Sequence, residues 1–160
     1  MNITPFNLDL ARSHIRDRVY MSGIGRDQLR VKATSEVFTP SSLVQQTLNN
    51  MPKEWFKDST KTFLDNSCGD GQFLGEVLIQ KLENGIDIKL ALQTIYGVDL
   101  MPDNVELCRE RLLCGQEHLR HIVEKNIVCA DALRYHYRFD STDPYQTNKD
   151  RHFNSLFSIG

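Results

Sequence analysis

Three aspartates stand at matching places along this 160-residue chain. Asp65 follows the apolar run Thr62-Phe63-Leu64, Asp99 follows Ile95-Tyr96-Gly97-Val98, and Asp131 follows Ile127-Val128-Cys129-Ala130. Each is a carboxylate at the end of a short β-prone segment. After Asp65 comes Asn66-Ser67-Cys68-Gly69-Asp70-Gly71, small and turn-forming. Then Phe73, Leu74, Val77, Leu78 and Leu82 recur near helical spacing. That order reads as strand, tight turn, helix. Gly69 and Gly71 suit a sharp backbone turn and leave room where a Cβ would block a ligand. The turn offers N–H groups at the helix start to whatever lies above the strand end.

Chemistry narrows the ligand. A phosphate is repelled by Asp65, whereas a cationic or amino-bearing group is attracted. The residues describe a nucleoside site without a pyrophosphate, and S-adenosylmethionine fits it through its sulfonium and amino group. An ordinary βα turn with glycines for tightness fits this stretch too. Asp99 lies 30 residues past Gly69. There Rossmann-like folds hold ribose hydroxyls, though a helix cap or a solvated strand end also places an acid there. Asp131 can accept from an adenine amino group while the following N–H donors face ring nitrogens. A cap or turn explains it equally well.

The elements that must position these acids follow from punctuation. Thr39 suits a helix N-cap and Pro40 its first position. A helix is expected over 40–50, with Leu43, Val44, Thr47 and Leu48 inward, ended by Met51-Pro52. Trp55 and Phe56 anchor a polar connection over 53–61. The helix begun at Gly71 or Gln72 stops near Asn84-Gly85. A short helix follows over 86–94, and a longer one begins after Met101-Pro102. That one carries Val105, Cys108 and Leu112 inward and stops at Gly115. Residues 134–152 read as a polar connection with aromatics, and Phe153 to Ile159 as a last strand. The order is a helix, strand and helix three times over, and a final strand. It predicts an α/β fold with a parallel sheet, with 1–32 a lead-in segment and 33–160 one domain.

Composition sets limits. The hydrophobic share is 40%, the charged share 25% and the formal net charge −2, so there is no basic excess of the kind that grips duplex DNA unaided. Six basic residues between positions 12 and 32 outnumber two acids, which reads as a solvated, partly helical lead-in or a basic arm. Cys68, Cys108, Cys114 and Cys129 form no C-x-x-C pair. They suggest reduced thiols, three of them in the core, and neither a zinc site nor a disulfide framework. No apolar run suggests a membrane span, and cytoplasm is the default location.

Val37-Phe38-Thr39-Pro40, then Asp65-Asn66-Ser67-Cys68-Gly69-Asp70-Gly71-Gln72-Phe73, then Tyr96-Gly97-Val98-Asp99, then Ala130-Asp131-Ala132-Leu133 form an ordered set. Over about residues 33 to 140 this set resembles the cofactor-binding half of the S-adenosylmethionine-dependent DNA adenine-N6 methyltransferases. The resemblance implies a Rossmann-like methyltransferase fold, truncated after the fourth strand. It implies that Asp65, Gly69 and Gly71 surround the methionine part, flanked by Cys68 and Phe73, with Phe38, Thr39 and Pro40 closing over it. It implies that Asp99 takes the ribose hydroxyls, that Leu100 or Met101 packs on the adenine, and that Asp131 and Ala132 meet the adenine edge. Asn66 replaces the family's usual proline.

A larger departure lies downstream. The family transfers methyl through an Asn/Asp-Pro-Pro-Tyr/Phe loop, and no Pro-Pro occurs in this chain. Asp143-Pro144-Tyr145 is a partial echo. No catalytic residue or metal site is assigned. Two functions follow: a methyltransferase acting on DNA once completed by further chain or a partner subunit, or a catalytically silent S-adenosylmethionine-binding accessory protein. The apolar run over 153–159 is expected to pair with a second copy or with a partner, or else residues after about Tyr135 are expected to stay disordered.

Overall fold

The computed structural model describes residues 6–17 and 39–145. At its centre is a parallel sheet of three strands in the order β1-β2-β3: β1 at Phe63–Asp65, β2 at Ile95–Asp99, β3 at Ile127–Cys129. Asp65 lies level with Gly97, Gly97 with Ile127, and Asp99 with Cys129. Asp65 and Asp99 therefore end β1 and β2 two residues apart across the sheet, and Asp131 lies two residues past the end of β3. Because side chains alternate, Phe63, Ile95, Gly97 and Ile127 share one face.

Helices cover that face: α1 (Leu8–Arg12), α2 (Ser41–Asn49), α3 (Glu54–Lys57), α4 (Gln72–Glu83), α5 (Ile88–Leu92), α6 (Pro102–Leu113) and α7 (Arg120–Asn126). Leu74, Val77 and Leu78 of α4 pack with Val105, Cys108 and Leu112 of α6 and with Phe63, Ile95 and Ile127 of the sheet. Val98 of β2, buried, and Val128 of β3, partly buried, form a second apolar cluster covered by Tyr135, Tyr137 and Phe139. The chain is thus α/β, with a parallel sheet between a helical layer and an aromatic strap.

Several expectations change. Helix α2 starts at Ser41, with Pro40 as N-cap, and no side chain caps it; Thr39 turns instead to the cavity described below. Pro40 C=O takes the N–H groups of Leu43 and Val44, which makes Pro40 the N-cap and places Thr39 one residue too early for that role. Leu43 and Thr47 are exposed, while Val44 and Leu48 are buried as expected. Phe56 anchors its connection, but Trp55 lies at the surface under the Lys61 ammonium. The short α5 covers only Ile88–Leu92. Helix α6 ends at Leu113, and Cys114 already adopts a positive φ before Gly115.

Between α6 and β3 a short turn, Glu117–Leu119, leads into α7, a helix the sequence reading did not contain. No helix follows β3 as far as Tyr145, because Tyr135, Tyr137 and Phe139 already cover the sheet there. Part of the lead-in joins the core. Ala11 and Ile15 are buried, Arg12 pairs with Glu83 and Arg16 with Glu76. Phe38, the rest of the basic segment and the expected strand over 153–159 lie outside the described residues. No helix among the described residues is long and apolar enough to cross a membrane.

Candidate functional site

The loop from β1 to α4 is built around two glycines with different duties. Gly69 has φ +52° and open space where a Cβ would stand. Gly71 has φ +89°, and a Cβ there would lie 2.8 Å from Cys108 Sγ. Gly71 is therefore required by the packing of α4 on α6, and it is not among the residues that line the cavity above the sheet. Pro40, as the cap of α2, is also absent from that lining.

That cavity, of about 330 Å³, opens at the carboxyl ends of the strands. Asp65, Asp99 and Asp131 all reach it. Cys68, Gly69 and Phe73 form the wall after β1, Leu100 and Met101 the wall after β2, and Ala132 the wall after β3; Thr39 stands at the start of α2. The expected residues are thus brought to one place, apart from Pro40, Gly71 and the undescribed Phe38.

Asp99 is the best-held of the three acids. Its Oδ1 accepts from Met101 N at 2.9 Å and from Asn104 Nδ2 at 3.2 Å, and its Oδ2 accepts from Gly69 N at 3.0 Å. One of the turn's N–H groups, expected to face a ligand, is therefore spent on Asp99. A carboxylate has about four lone-pair positions, so Asp99 keeps one for a hydroxyl without displacing a protein donor.

Asp65 accepts from Ser67 N at 3.0 Å. Burial pushes its carboxyl above the usual aspartate range; the Ser67 N–H opposes this, and the neighbouring Asp99 charge adds to it. A cationic group in the cavity relieves both the burial and the repulsion. The Cys68 thiol is pushed well up by its hydrogen bond with Cys108, by burial and by the Asp65 and Asp99 charges. It stays protonated at neutral pH and acts as filler, not as a nucleophile. Asp131 Oδ1 accepts from Leu133 N at 2.9 Å, while its own N–H donates to Tyr145 Oη at 2.8 Å.

Sequence reasoning missed Asn104 and Asp70, which also line the cavity. Asn104 carried a signal: it sits four residues before Cys108 on the inward face of α6, where a buried amide needs a partner. Asp70 meets Arg111 at 3.4 Å, both almost fully buried. Among the described residues no group of three or more His, Cys, Asp or Glu side chains is placed to hold a metal ion.

Four acids, Asp65, Asp70, Asp99 and Asp131, and no Lys or Arg line the cavity. The set suits a ligand rich in donors: an amine, hydroxyls, an exocyclic amino group. Comparison of the chain with protein-family models, curated proteins and solved structures gives no match in any of the three.

Proposed function

We propose that this chain binds S-adenosylmethionine in a Rossmann-like domain of the DNA adenine-N6 methyltransferase type, and serves methyl transfer to adenine in DNA when completed by a catalytic loop. The observation that carries the reading is the convergence of Asp65, Asp99 and Asp131, from three successive parallel strands, on one cavity. Ligands of open α/β sheets bind at that end of the strands. The cavity is at the lower end of the range for small-molecule sites, which starts near 300 Å³. Asp65 faces the amino and sulfonium end, Asp99 offers one acceptor to the ribose, and Asp131 accepts from the adenine amino group.

A second reading, a catalytically silent cofactor-binding accessory protein, draws on one feature. The Asp143-Pro144-Tyr145 echo of the catalytic loop is occupied by the fold: Tyr145 Oη takes the Asp131 N–H, and the Arg134 guanidinium lies 5.1 Å from the centre of its ring. Calorimetric titration with S-adenosylmethionine and its demethylated product tests the common core of both readings. Binding weakened at least tenfold by Asp99→Ala supports it, the size of a hydrogen bond to a charged group. A folded chain that takes up neither compound at millimolar concentration overturns it.

A further inference from the structure

The dipeptide Asp131-Ala132 is gripped by two tyrosine hydroxyls from the strap that follows it. Tyr145 Oη accepts from Asp131 N at 2.8 Å, and Tyr137 Oη donates to Ala132 O at 2.8 Å. Neither tyrosine lines the cavity. We propose that Tyr137 and Tyr145 are positioning residues that aim the Asp131 carboxylate, and so set the preference of this site for a 6-amino purine over a 6-oxo purine. The proposal rests on the cofactor-binding reading above and extends it to specificity.

The sheet explains why Asp131 needs outside support. Ala130 N donates to Asp99 O, the last rung between the ends of β2 and β3. Successive backbone groups of a strand point to opposite edges, so the Asp131 N–H points away from β2. Among the described residues no strand lies on that side of β3, and Tyr145 takes the donor instead. The carboxylate is fixed to the same backbone, because Asp131 Oδ1 accepts from Leu133 N. Its direction therefore follows the 131–133 backbone, which the two hydroxyls hold from both ends.

The strap is organised for this grip. Tyr137 and Phe139 have φ of +53° and +49°, a left-handed backbone that side-chain-bearing residues adopt only at a cost. Their rings, with that of Tyr135, pack on one another and on the sheet, and Phe139 N donates to Tyr135 Oη at 2.8 Å. Tyr145 is set by its own N–H to Asp143 Oδ1, and Asp143 O accepts from Arg138 Nη2.

Selectivity is the quantity such a device controls. A carboxylate accepts from an exocyclic amine and repels a carbonyl oxygen. A small loss of aim weakens the attraction and the repulsion together, so the ratio of the two affinities falls. Asp99 and Asp65 hold the rest of the ligand, so overall binding survives.

The test is titration of the full chain with S-adenosylhomocysteine and with S-inosylhomocysteine. Wild type, Tyr145→Phe, Tyr137→Phe, the double variant and Asp131→Asn are compared, with melting curves for each. Wild type is expected to favour the adenine compound by about tenfold or more. Tyr145→Phe, a change at the surface, lowers that ratio roughly two- to threefold, a part of what one neutral hydrogen bond is worth. The double variant lowers it further, and Asp131→Asn abolishes it. A wild-type ratio in both tyrosine variants beside a collapsed ratio in Asp131→Asn overturns the inference and leaves the cofactor reading standing. An unchanged ratio in Asp131→Asn, or a wild-type chain that binds neither compound, overturns the adenine assignment and the inference with it.

Discussion

The backbone N–H of Gly69 donates to Asp99 Oδ2 at 3.0 Å, and this bond ties the loop after β1 to the end of β2. The same carboxylate takes Met101 N, one residue ahead of α6, and holds Asn104 on its first turn. Asp99 thus shapes the cavity before any ligand arrives. Asp99→Ala leaves three donors seeking new partners. It is expected to lower stability by about 2 kcal/mol or more while also weakening ligand binding. Asp99→Asn keeps the shape but presents an amide N–H to one of those donors, so it destabilises as well. Chemical denaturation of the three proteins, read beside calorimetry, checks both effects.

Gly71 and Gly69 should respond differently to a methyl group. Gly71→Ala forces a Cβ against Cys108 Sγ at 2.8 Å with φ at +89°, and should cost about 2–4 kcal/mol from overpacking and backbone strain together. Gly69→Ala meets open space and carries only the left-handed backbone cost of about 1–2 kcal/mol. Cys108→Ala in the Gly71→Ala background should recover part of the loss by making room. Non-additivity in that double-mutant cycle is the measurement; strictly additive effects would contradict the contact.

Asp65 gives a pH signature. Its carboxyl is raised in the folded chain, chiefly by burial, so the folded state holds the proton more tightly than the unfolded one. Its protonated form is no burden below the usual aspartate range, and its charge becomes a cost as pH climbs from about 4 upward. Asp65→Asn should therefore match wild type near the bottom of that window and be the more stable protein at neutral pH. Denaturation curves across the window test the sign. A variant less stable than wild type at pH 7, in the absence of ligand, would contradict it.

The buried pair between Asp70 and Arg111 joins the glycine loop to α6. Removing one partner breaks a buried ion pair, so Arg111→Met or Asp70→Ala should cost about 3–5 kcal/mol. The joint replacement Asp70→Leu with Arg111→Met should be much closer to wild type than either single change. Thermal melts of the three variants decide it.

What the sequence revealed and concealed follows from the range of the forces involved. The strand ends at Asp65 and Asp99, the acid just past β3 at Asp131 and the helix Gln72–Glu83 were readable because short apolar runs, helical spacing and the Asn84-Gly85 stop are local signals. Asn104 sat in view as a polar residue on an apolar face, and only its distance to Asp99 gave it a purpose. Lys81 is fully buried in α4 because its ammonium reaches the carbonyls of Asp58 and Lys61, a long-range match that no spacing announces. By composition the strap reads as a polar connection. Yet Tyr135, Tyr137 and Phe139 recur every second residue, the spacing of a chain laid along one apolar face. What hid the strap was the positive φ at Tyr137 and Phe139, which only packing against the sheet sustains.

The last prediction concerns methyl transfer itself. Transfer to an adenine amino group requires the base to be turned out of the helix, stacked, and held by acceptors for its amino hydrogens. In the resembled family a Pro-Pro loop supplies these, and this chain contains no Pro-Pro. Its nearest echo has Tyr145 hydrogen-bonded to the Asp131 backbone, with Arg134 against its ring, so the ring is engaged in supporting the site's own wall. The net charge of −2 adds no general affinity for duplex. The purified chain is therefore expected to bind S-adenosylmethionine and to transfer no tritiated methyl to unmethylated duplex or single-stranded DNA above the level of Asp65→Ala. Transfer that exceeds this level and disappears in Asp143→Ala would show that Asp143-Pro144-Tyr145 leaves the strap and acts as the catalytic loop. Tyr145→Phe would then separate the two roles of that tyrosine, because stacking on a base survives the loss of the hydroxyl and support of Asp131 does not.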